Sequence, residues 1–250
     1  MGEVIIITQA RLQSKRFDRK ILKVIDGKSL LQIHLERLKK SKYSDNLIVA
    51  TTYEDQIEFV LAILKKLKIS FYQGSTEDVL DRFYNAANEH NPSYVVRVTS
   101  DCPLIDSNLL DEIIDYALDK NIDYVSNTLI EAFPDGQDVE VIKWNALEYA
   151  WHNANTDFER EHVTPFIIKN STFFGGKIFT SKNFNCEFNF NSVRMTVDQI
   201  EDFEAIKTLI SRLKCNSDWL SYTKFIIDNP KLFSNQKIIR NEASKTQNNI

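Results

Sequence analysis

A cluster of cations near the amino terminus is the first group of residues in this sequence that could carry chemistry. Gln13 and Ser14 lie among them as neutral hydrogen-bond donors, and the cations are Arg11, Lys15, Arg16, Arg19 and Lys20. Crowding these positive charges is unfavourable unless an anion relieves the repulsion, as a polyphosphate with its Mg²⁺ would do. A solvated basic loop is the alternative interpretation, but the position of the cluster favours a phosphate site.

The run that precedes the cluster explains why its position matters. Val4-Ile5-Ile6-Ile7 is apolar and β-branched without polar alternation, which is typical of a strand buried on both faces in the centre of a parallel sheet. Open α/β sheets bind ligands in the crevice beyond the carboxyl ends of their strands. The sequence therefore predicts that these cations lie where a ligand binds.

Two aspartates follow predicted strands and could share a metal ion. Asp101 comes after the predicted strand 94–99, and Asp198 comes after the β-like run 195–197. Asp101 alone could equally well cap a turn before Cys102. Because a second carboxylate would emerge at the same edge of the sheet, both could reach one Mg²⁺ that bridges phosphate oxygens.

A compact triplet, Arg160-Glu161-His162, is the third candidate. Arg160 could pair with a substrate carboxylate through a bidentate fork, and His162 could accept or orient a proton near neutral pH. A lone histidine is more often structural, and only the triplet favours a functional role. No role is assigned to the other histidines, which lack metal-ligand spacing: His34, His90 and His152.

Composition limits the classes of partner. The formal net charge of −4 argues against a nucleic-acid binder. Residues 11–40 nevertheless carry ten Lys and Arg against three Asp and Glu, which suits a small anionic ligand. With three scattered cysteines, no leader-like start and no apolar run of about 18 residues, we expect a cytoplasmic protein that does not contact membranes.

Alternating elements predict an α/β fold with three layers, in which helices cover both faces of a mostly parallel sheet. Strands are predicted at 47–51, 69–72 and 94–99, and helices at 29–41, after 57, after a Ser75–Asp78 capping box, and after a cap at Asp106 or Ser107. The order of the strands cannot be read from the sequence.

The second half is less regular. Strands are predicted at 124–127, 139–142, 172–180 and 193–197, and helices at 144–154 and 159–169; a further helix carries Glu201 and Asp202 in its first turn. We expect a single domain over 1–230, whose region of about 126–190 is antiparallel and faces the substrate. A loosely held polar tail is expected over 231–250.

Three motifs resemble one family. Gln9-Ala10-Arg11-x-x-Ser14-x-Arg16 with Lys20-x-Leu22 resembles the Q-A-R-x-x-S-x-R-[LF]-P-G-K-x-L signature of the sugar nucleotidyltransferases related to CMP-Kdo and CMP-acylneuraminate synthetases, and within them the spore coat polysaccharide (SpsF) branch. Residues 99–106 look like T-[AS]-D-C-P-L-I-D, and 194–202 resemble R-L-T-V-D-x-x-E-D. Asp18-Arg19 replaces the usual Pro-Gly, so the backbone path of the loop is expected to differ.

The resemblance implies a Rossmann-like, nucleotide-diphospho-sugar transferase-like fold with a small antiparallel insertion for substrate binding and dimerisation. It assigns Mg²⁺ to Asp101 and Asp198. Residues implied to bind the nucleotide are Gln9, Ala10, Arg11, Ser14, Arg16, Lys20, Gly74, Asp78, Arg82 and Ser100. Residues 135–140 and 160–165 resemble the D-G-x-D-x-E and R-E-H-V-T-P motifs, which the family has on the sugar side of its site. The residues that this resemblance implies contact the sugar are Gln137, Glu140, Arg160, Glu161 and His162. The alternative for 78–83 is an amphipathic helix with an Asp78–Arg82 ion pair.

The function implied is an Mg²⁺-dependent cytidylyltransferase of polysaccharide biosynthesis. A hydroxyl of an acidic sugar, of the nonulosonic or Kdo type, would attack the α-phosphorus of CTP and release pyrophosphate. Arg11, Arg16 and Lys20 would stabilise the departing charge, and a homodimer is implied.

Three alternatives remain open. The first is a nucleotidyltransferase that uses another NTP or a sugar 1-phosphate. The second is a GT-A glycosyltransferase, against which the sequence lacks a clear Asp-x-Asp after a strand. The third is a non-catalytic nucleotide-binding module.

Overall fold

The computed structural model describes residues 3–14, 16–238 and 240. The strands are β1 Val4–Gln9, β2 Val24–Ile25, β3 Lys28–Ser29, β4 Leu47–Thr52, β5 Ser70–Gly74, β6 Tyr94–Thr99, β7 Tyr124–Ser126, β8 Glu140–Lys143 and β9 Ser181–Asn183. The α-helices are α1 Leu30–Leu38, α2 Glu58–Leu67, α3 Val79–Asn88, α4 Ser107–Lys120, α5 Trp144–Asn153, α6 Asp157–His162, α7 Pro165–Lys169, α8 Ile200–Leu213 and α9 Trp219–Asp228.

One large sheet organises the described residues, with the strand order β5-β4-β1-β6-β8-β7-β9. β1 is an interior strand and pairs in parallel with β4 on one side and β6 on the other. β8 runs antiparallel to both β6 and β7, and β9 is parallel to β7. The mostly parallel α/β class is therefore confirmed, and a small antiparallel hairpin of β2 and β3 lies outside the large sheet.

The strand β1 is buried on both faces, as its composition predicts. Ile5, Ile6 and Ile7 have no exposed surface. The face that carries Ile6 packs against apolar side chains of α1, α2 and α4, and the opposite face packs against those of α3, α5 and α7. Because side chains alternate across a strand, a short apolar run supports both layers of helices. None of the described helices is long and apolar enough to cross a membrane.

Helix starts agree with the predicted caps except at α3. Asp106 accepts hydrogen bonds from the backbone of the first turn of α4 at 2.9 and 3.1 Å, which confirms this cap. At α3 the N-cap is Asp78, whose carboxylate accepts from the Asp81 N–H at 2.9 Å, while Ser75 accepts from the Asp78 N–H at 3.0 Å. The predicted Ser75–Asp78 capping box is wrong because Ser75 closes the preceding turn instead.

Two predicted elements between 159 and 180 are wrong. The predicted helix 159–169 is divided into α6 and α7 at Val163, whose φ is 72°, and Pro165 begins the second piece because proline fits the first helical turn. The predicted strand 172–180 is a short 3-10 turn that ends at Gly175 with a φ of 81°. Here the turn-forming glycines outweigh the strand propensity of Thr172–Phe174.

The predicted strand 193–197 is also wrong, although the segment is buried. Val193, Met195 and Val197 are nearly inaccessible to solvent, but their backbone bonds with the loops at Asp101 and Asp135 rather than with a strand. The alternating apolar side chains of residues 193–197 therefore pack in the core, although the segment has no neighbouring strand to pair with among the described residues.

The segment after Asn229 is held more tightly than predicted as far as residue 238. Phe233 is 3% exposed and Asn235 is fully buried, where its side chain donates to Asp202 Oδ1 at 3.1 Å. Arg240 donates to Asp138 at 2.6 Å. The rest of the predicted tail, residues 241–250, lies outside the described residues.

Candidate active site

The loop after β1 is fastened to the end of β4. Ala10 donates its backbone N–H to the Ala50 carbonyl at 3.0 Å. The N–H groups of Leu12 and Gln13 donate to the Glu54 carboxylate at 3.3 and 2.8 Å. Because backbone groups hold its first turn, the loop projects its cations from a fixed base.

The predicted nucleotide-binding residues at the start of this loop differ in exposure. Ala10 is 1% exposed, whereas Arg11 is exposed and Ser14 is half-buried. The Gln9 Oε1 atom is buried and has no hydrogen-bond partner within the described residues, as expected of a polar group that awaits a ligand. Lys15 lies outside the described residues.

The predicted phosphate-binding and metal-binding residues meet at the carboxyl edge of the sheet. Lys20 Nζ lies 3.2 Å from Asp101 Oδ2 and 2.9 Å from Asp198 Oδ1. Arg16 Nη2 lies 3.0 Å from Asp198 Oδ2. Residues from three distant parts of the sequence therefore form one charged cluster, which we call the phosphate-side cluster: Arg16, Lys20, Asp101 and Asp198.

The charges in this cluster reinforce one another. Burial by itself would lower the pKa of Lys20, but the charges of Asp101 and Asp198 outweigh it and raise that pKa. Burial alone would raise the pKa of Asp101, and the Lys20 ammonium with its hydrogen bonds holds it well below the usual range. Lys20 and Asp101 are therefore both ionised at neutral pH.

The two aspartates fit Mg²⁺ by the chemistry of their donor atoms. Mg²⁺ takes oxygen ligands and is usually held by one or two carboxylates, with water and substrate phosphates completing the shell. Asp101 and Asp198 already converge on one cation, the Lys20 ammonium. Across residues 3–14, 16–238 and 240, no group of three or more His, Cys, Asp or Glu forms a metal cage. Asp101 and Asp198 could therefore supply two oxygen ligands, with water or substrate phosphates as the others.

Arg194, to which the sequence assigned no role, orients Asp198. Its Nη2 lies 3.2 Å from Asp198 Oδ2, its Nε donates to Asp202 at 2.8 Å, and its Nη1 donates to Asp135 at 2.7 Å. Asp202 also accepts from the backbone N–H of Asp198 at 2.9 Å. Asp202 lies in the first turn of α8, as predicted, so one helix end fixes both the backbone and the carboxylate of Asp198.

His34 ties the Asp101 loop to the core. Its Nδ1 donates to the Cys102 carbonyl at 2.8 Å, and its Nε2 accepts from the Thr8 hydroxyl at 2.9 Å. Complete burial lowers its pKa to about 4, so the ring is neutral at pH 7. No sequence pattern indicated this role, apart from the position of the histidine on a helix that packs on β1.

Arg82 is buried beside the loop after β1. It is 1% exposed, and its guanidinium donates to the Ser75 carbonyl. Burial, and then the nearby charge of Arg11, lower its pKa to about 10. Gly74 makes room for it, because a Cβ there would lie 3.3 Å from Arg82 Cγ. Ser100, also predicted to bind nucleotide, is buried beside Asp101.

Arg160 is bound to protein groups. Its Nε and Nη2 lie 2.8 and 2.6 Å from Asp78 Oδ2, and its Nη1 donates to the Trp151 carbonyl at 2.8 Å. The predicted Asp78–Arg82 pair is not formed, because Asp78 Oδ1 caps the first turn of α3 and Oδ2 accepts from Arg160 of α6.

Two other predicted sugar-side residues also have protein partners. The fully buried side chain of Gln137 accepts from the Asp106 N–H and donates to the Leu104 carbonyl, both at 2.9 Å. Glu140 forms an ion pair with Arg97 and accepts from the Tyr124 hydroxyl at 2.6 Å. Gln137 therefore stabilises the fold, and Glu140 orients a second arginine that the sequence did not identify.

His162 and Glu161 lie at the end of α6 with exposed side chains. Desolvation lowers the pKa of His162, the charge of Glu161 opposes this, and the charges of Arg97 and Arg11 lower it further. The lowered pKa leaves His162 neutral at pH 7.

The sequence is similar throughout to known proteins. Residues 5–241 match the family model for cytidylyltransferases. A Methanocaldococcus jannaschii protein, named uncharacterized protein MJ1063, is 36% identical over 96% of this chain and 97% of its own length. The spore coat polysaccharide biosynthesis protein SpsF of Bacillus subtilis is 31% identical over 85% of this chain and 88% of its own length.

A solved structure agrees with this assignment. The structure of a cytidylyltransferase from Leptospira borgpetersenii is 33% identical, covers 96% of this chain and 100% of its own, and superposes with a TM-score of 0.89. The family match extends over the strand-end loops that carry the phosphate-side cluster. The chain therefore belongs to the cytidylyltransferase family and is a nucleotidyltransferase.

Proposed function

We propose that this enzyme transfers CMP from CTP to a hydroxyl of an acidic sugar, of the nonulosonic or Kdo type, in an Mg²⁺-dependent reaction that releases pyrophosphate. The observation that carries the proposal is the convergence of Arg16 and Lys20 on Asp101 and Asp198 at the ligand-binding edge of the sheet. Family membership supports CTP as the nucleotide. The name of the SpsF relative supports a product for polysaccharide synthesis.

In the proposed reaction, the chain supplies position and charge rather than a covalent intermediate. Arg11, Arg16 and Lys20 bind the triphosphate and neutralise charge on the departing pyrophosphate. Asp101 and Asp198 hold Mg²⁺, which when bound neutralises phosphate oxygens and orients them. The Lys20 ammonium pairs with both aspartates, so it would lie beside phosphate oxygens held at the same carboxylates.

The proposed nucleoside site lies on the other side of the loop after β1. Gln9 offers a buried amide oxygen without a partner in the described residues, and Ala10 offers a close approach to backbone. Residues proposed to complete the nucleotide site are Ser14, Gly74, Asp78, Arg82 and Ser100. His162 and Glu161 would line the acceptor subsite and face the sugar. The neutral ring of His162 could accept a proton from the attacking hydroxyl of the sugar.

We propose that the protein works as a homodimer in the cytoplasm. Exposed apolar side chains are concentrated near the edge strand β9, where Ile130 is 54% and Phe174 is 59% exposed, and a second copy could cover them. Light scattering would test the dimer, and Phe174→Glu should shift it toward monomer.

The test is pyrophosphate release with Mg²⁺, in which CTP, UTP, GTP and ATP are each paired with nonulosonic acids, Kdo and hexose 1-phosphates. Release that requires CTP and one acidic sugar is the expected result. Release with a sugar 1-phosphate or with another NTP would contradict the proposed substrates and retain the nucleotidyltransferase. No release with any pair, together with CTP binding, would favour a glycosyltransferase or a binding module.

A further inference from the structure

The Arg160 guanidinium is bonded to protein groups through all three of its nitrogen atoms. Its Nε and Nη2 edge grips Asp78, and its Nη1 donates to the carbonyls of Trp151 and Ala154 at 2.8 and 3.5 Å. If it turned to a substrate, the cap of α3 would lose its counterion and two carbonyls would lose a donor. Buried polar groups left without partners are costly, so this guanidinium is poorly suited to receive a ligand.

The guanidinium of Arg97, by contrast, has a protein partner on only one of its nitrogen atoms in the described part of the chain. Arg97 on β6 lies opposite Glu140 on β8 in the register of the sheet and forms an ion pair with it through Nη1 alone. Its Nε is buried, and neither Nε nor Nη2 has a hydrogen-bond partner within the described residues. The same edge of a guanidinium grips Asp78 in Arg160 and Asp202 in Arg194. In Arg97 the edge that takes a carboxylate in the other two arginines has no protein acceptor among the described residues.

The orientation of Arg97 is fixed by groups around it. Glu140 accepts from the Tyr124 hydroxyl at 2.6 Å and so cannot swing away freely. The ring centroid of Phe83 lies 6.0 Å from the Arg97 guanidinium carbon, which gives the cation an aromatic neighbour. A donor edge that is prepared in this way needs little reordering when a ligand binds.

Its location is also suitable. Arg97 precedes Asp101 by four residues on the same strand and loop. The Arg97 guanidinium carbon lies beside the Phe83 ring of α3, the helix that the Asp78–Arg160 pair joins to α6. The unpartnered edge therefore lies on the α3 side of the sheet, near the carboxyl ends of β1 and β6.

We propose that Arg97, oriented by Glu140 and Tyr124, binds the carboxylate of the acceptor sugar, and that Arg160 is a positioning residue that ties α6 to α3. This inference rests on the proposed transfer to an acidic sugar and moves the specificity for the acid from α6 to the sheet. A neutral sugar would leave the Arg97 edge unpaired, which disfavours it.

The test compares Arg97→Met with Arg160→Met, two substitutions that remove the same charge and keep an unbranched side chain. Each variant is titrated calorimetrically with Kdo and N-acetylneuraminate and with their C1 carboxamides, and KM is measured for CTP and for the acceptor. Arg97→Met should weaken binding of the acid by about 10- to 100-fold, the range for a hydrogen bond to a charged group. It should bind acid and carboxamide equally, with KM for CTP unchanged, and Arg97→Lys should restore part of the preference.

Arg160→Met should lower the melting temperature but keep the preference for acid over carboxamide. If Arg97→Met keeps that preference and Arg160→Met loses it, the assignment is wrong. Because Arg97→Met leaves Glu140 buried without its cation, the double variant Arg97→Met with Glu140→Gln provides a second protein in which the preference must also vanish. Wild-type protein that binds CTP but neither acid would overturn both this inference and the proposed acceptor, whereas an acid preference that survives in Arg97→Met would overturn this inference alone. Lack of CTP binding would overturn the proposed function, while the sugar titrations would still decide the role of Arg97.

Discussion

The phosphate side and the sugar side of the site are built differently. On the phosphate side, predicted residues are one another's partners, since Lys20 joins Asp101 to Asp198. On the sugar side, predicted residues have other protein partners, as Gln137 and Arg160 show. Opposite charges that pair with each other at the edge of the sheet can exchange partners for a metal and a phosphate, whereas groups that satisfy backbone carbonyls and helix caps cannot do so without cost. The difference indicates that the predicted residues of the phosphate side are free to bind a ligand, whereas Gln137 and Arg160 support the fold.

The largest effect should come from removing the cation that holds the phosphate side together. Arg194→Met leaves the fully buried Asp202 without its cation, and breaking a buried ion pair typically costs about 3 to 5 kcal/mol. Urea unfolding should show this loss. The control is Lys207→Met on α8, the helix that carries Asp202. Lys207 is 58% exposed and pairs with Glu204, so the unfolding free energy should change by less than about 1 kcal/mol. Equal effects of the two substitutions would contradict a rigid phosphate side.

His34 should make this side sensitive to acid. Its pKa is lowered to about 4 in the folded protein, from 6.5, so the unfolded chain binds the proton first as pH falls. The stability is therefore fully present above pH 6.5 and is lost as pH falls toward 4, by on the order of 3 kcal/mol. His34→Gln should flatten the pH dependence of the unfolding free energy between pH 7 and 4. Replacement of the exposed His152 by Gln should leave it unchanged, and a steep dependence that survives in His34→Gln would assign it elsewhere.

Asp101→Asn tests whether the phosphate side carries the chemistry. It should lower turnover by at least about a hundredfold, because charge stabilisation at a metal is worth several kcal/mol. The measurement is kcat for pyrophosphate release, with circular dichroism to establish that the fold is intact. Asp119→Asn, at a 70% exposed position on α4, is the matched control and should be fully active. A folded Asp101→Asn protein with near-normal turnover would remove Asp101 from the metal site.

The same comparison shows what the sequence could and could not reveal. The fold class and the phosphate side were accessible because strands such as β1 are short apolar runs and their carboxyl ends carry the charged residues. Arg97 was not identified from the sequence, because a single charged residue within an apolar strand gives no sign of a function. Its importance depends on Glu140, which lies 43 residues away in the sequence and is brought opposite by antiparallel pairing. The Asp78–Arg160 pair was also hidden, because nothing in a local motif reveals a partner 82 residues away in the sequence.

The smallest expected effect is that of replacing Lys20 on the affinity for a divalent cation. This substitution tests whether the ion pairs of Lys20 with Asp101 and Asp198 are permanent or are exchanged for a metal. Without Lys20, Asp101 and Asp198 face each other with only Arg16 and Arg194 as counterions, so a divalent cation should bind nucleotide-free protein more tightly. Lys20→Met should therefore gain affinity for Mn²⁺, measured by electron paramagnetic resonance, by about tenfold or less, as one exchanged charge of about 1 kcal/mol allows. Pyrophosphate release should fall at the same time, because the phosphate loses its ammonium. Lys23→Met, a change in the same segment outside the cluster, should alter neither quantity. If Lys20→Met binds Mn²⁺ more weakly than the wild type, the ammonium positions the aspartates instead of occupying the place of the metal.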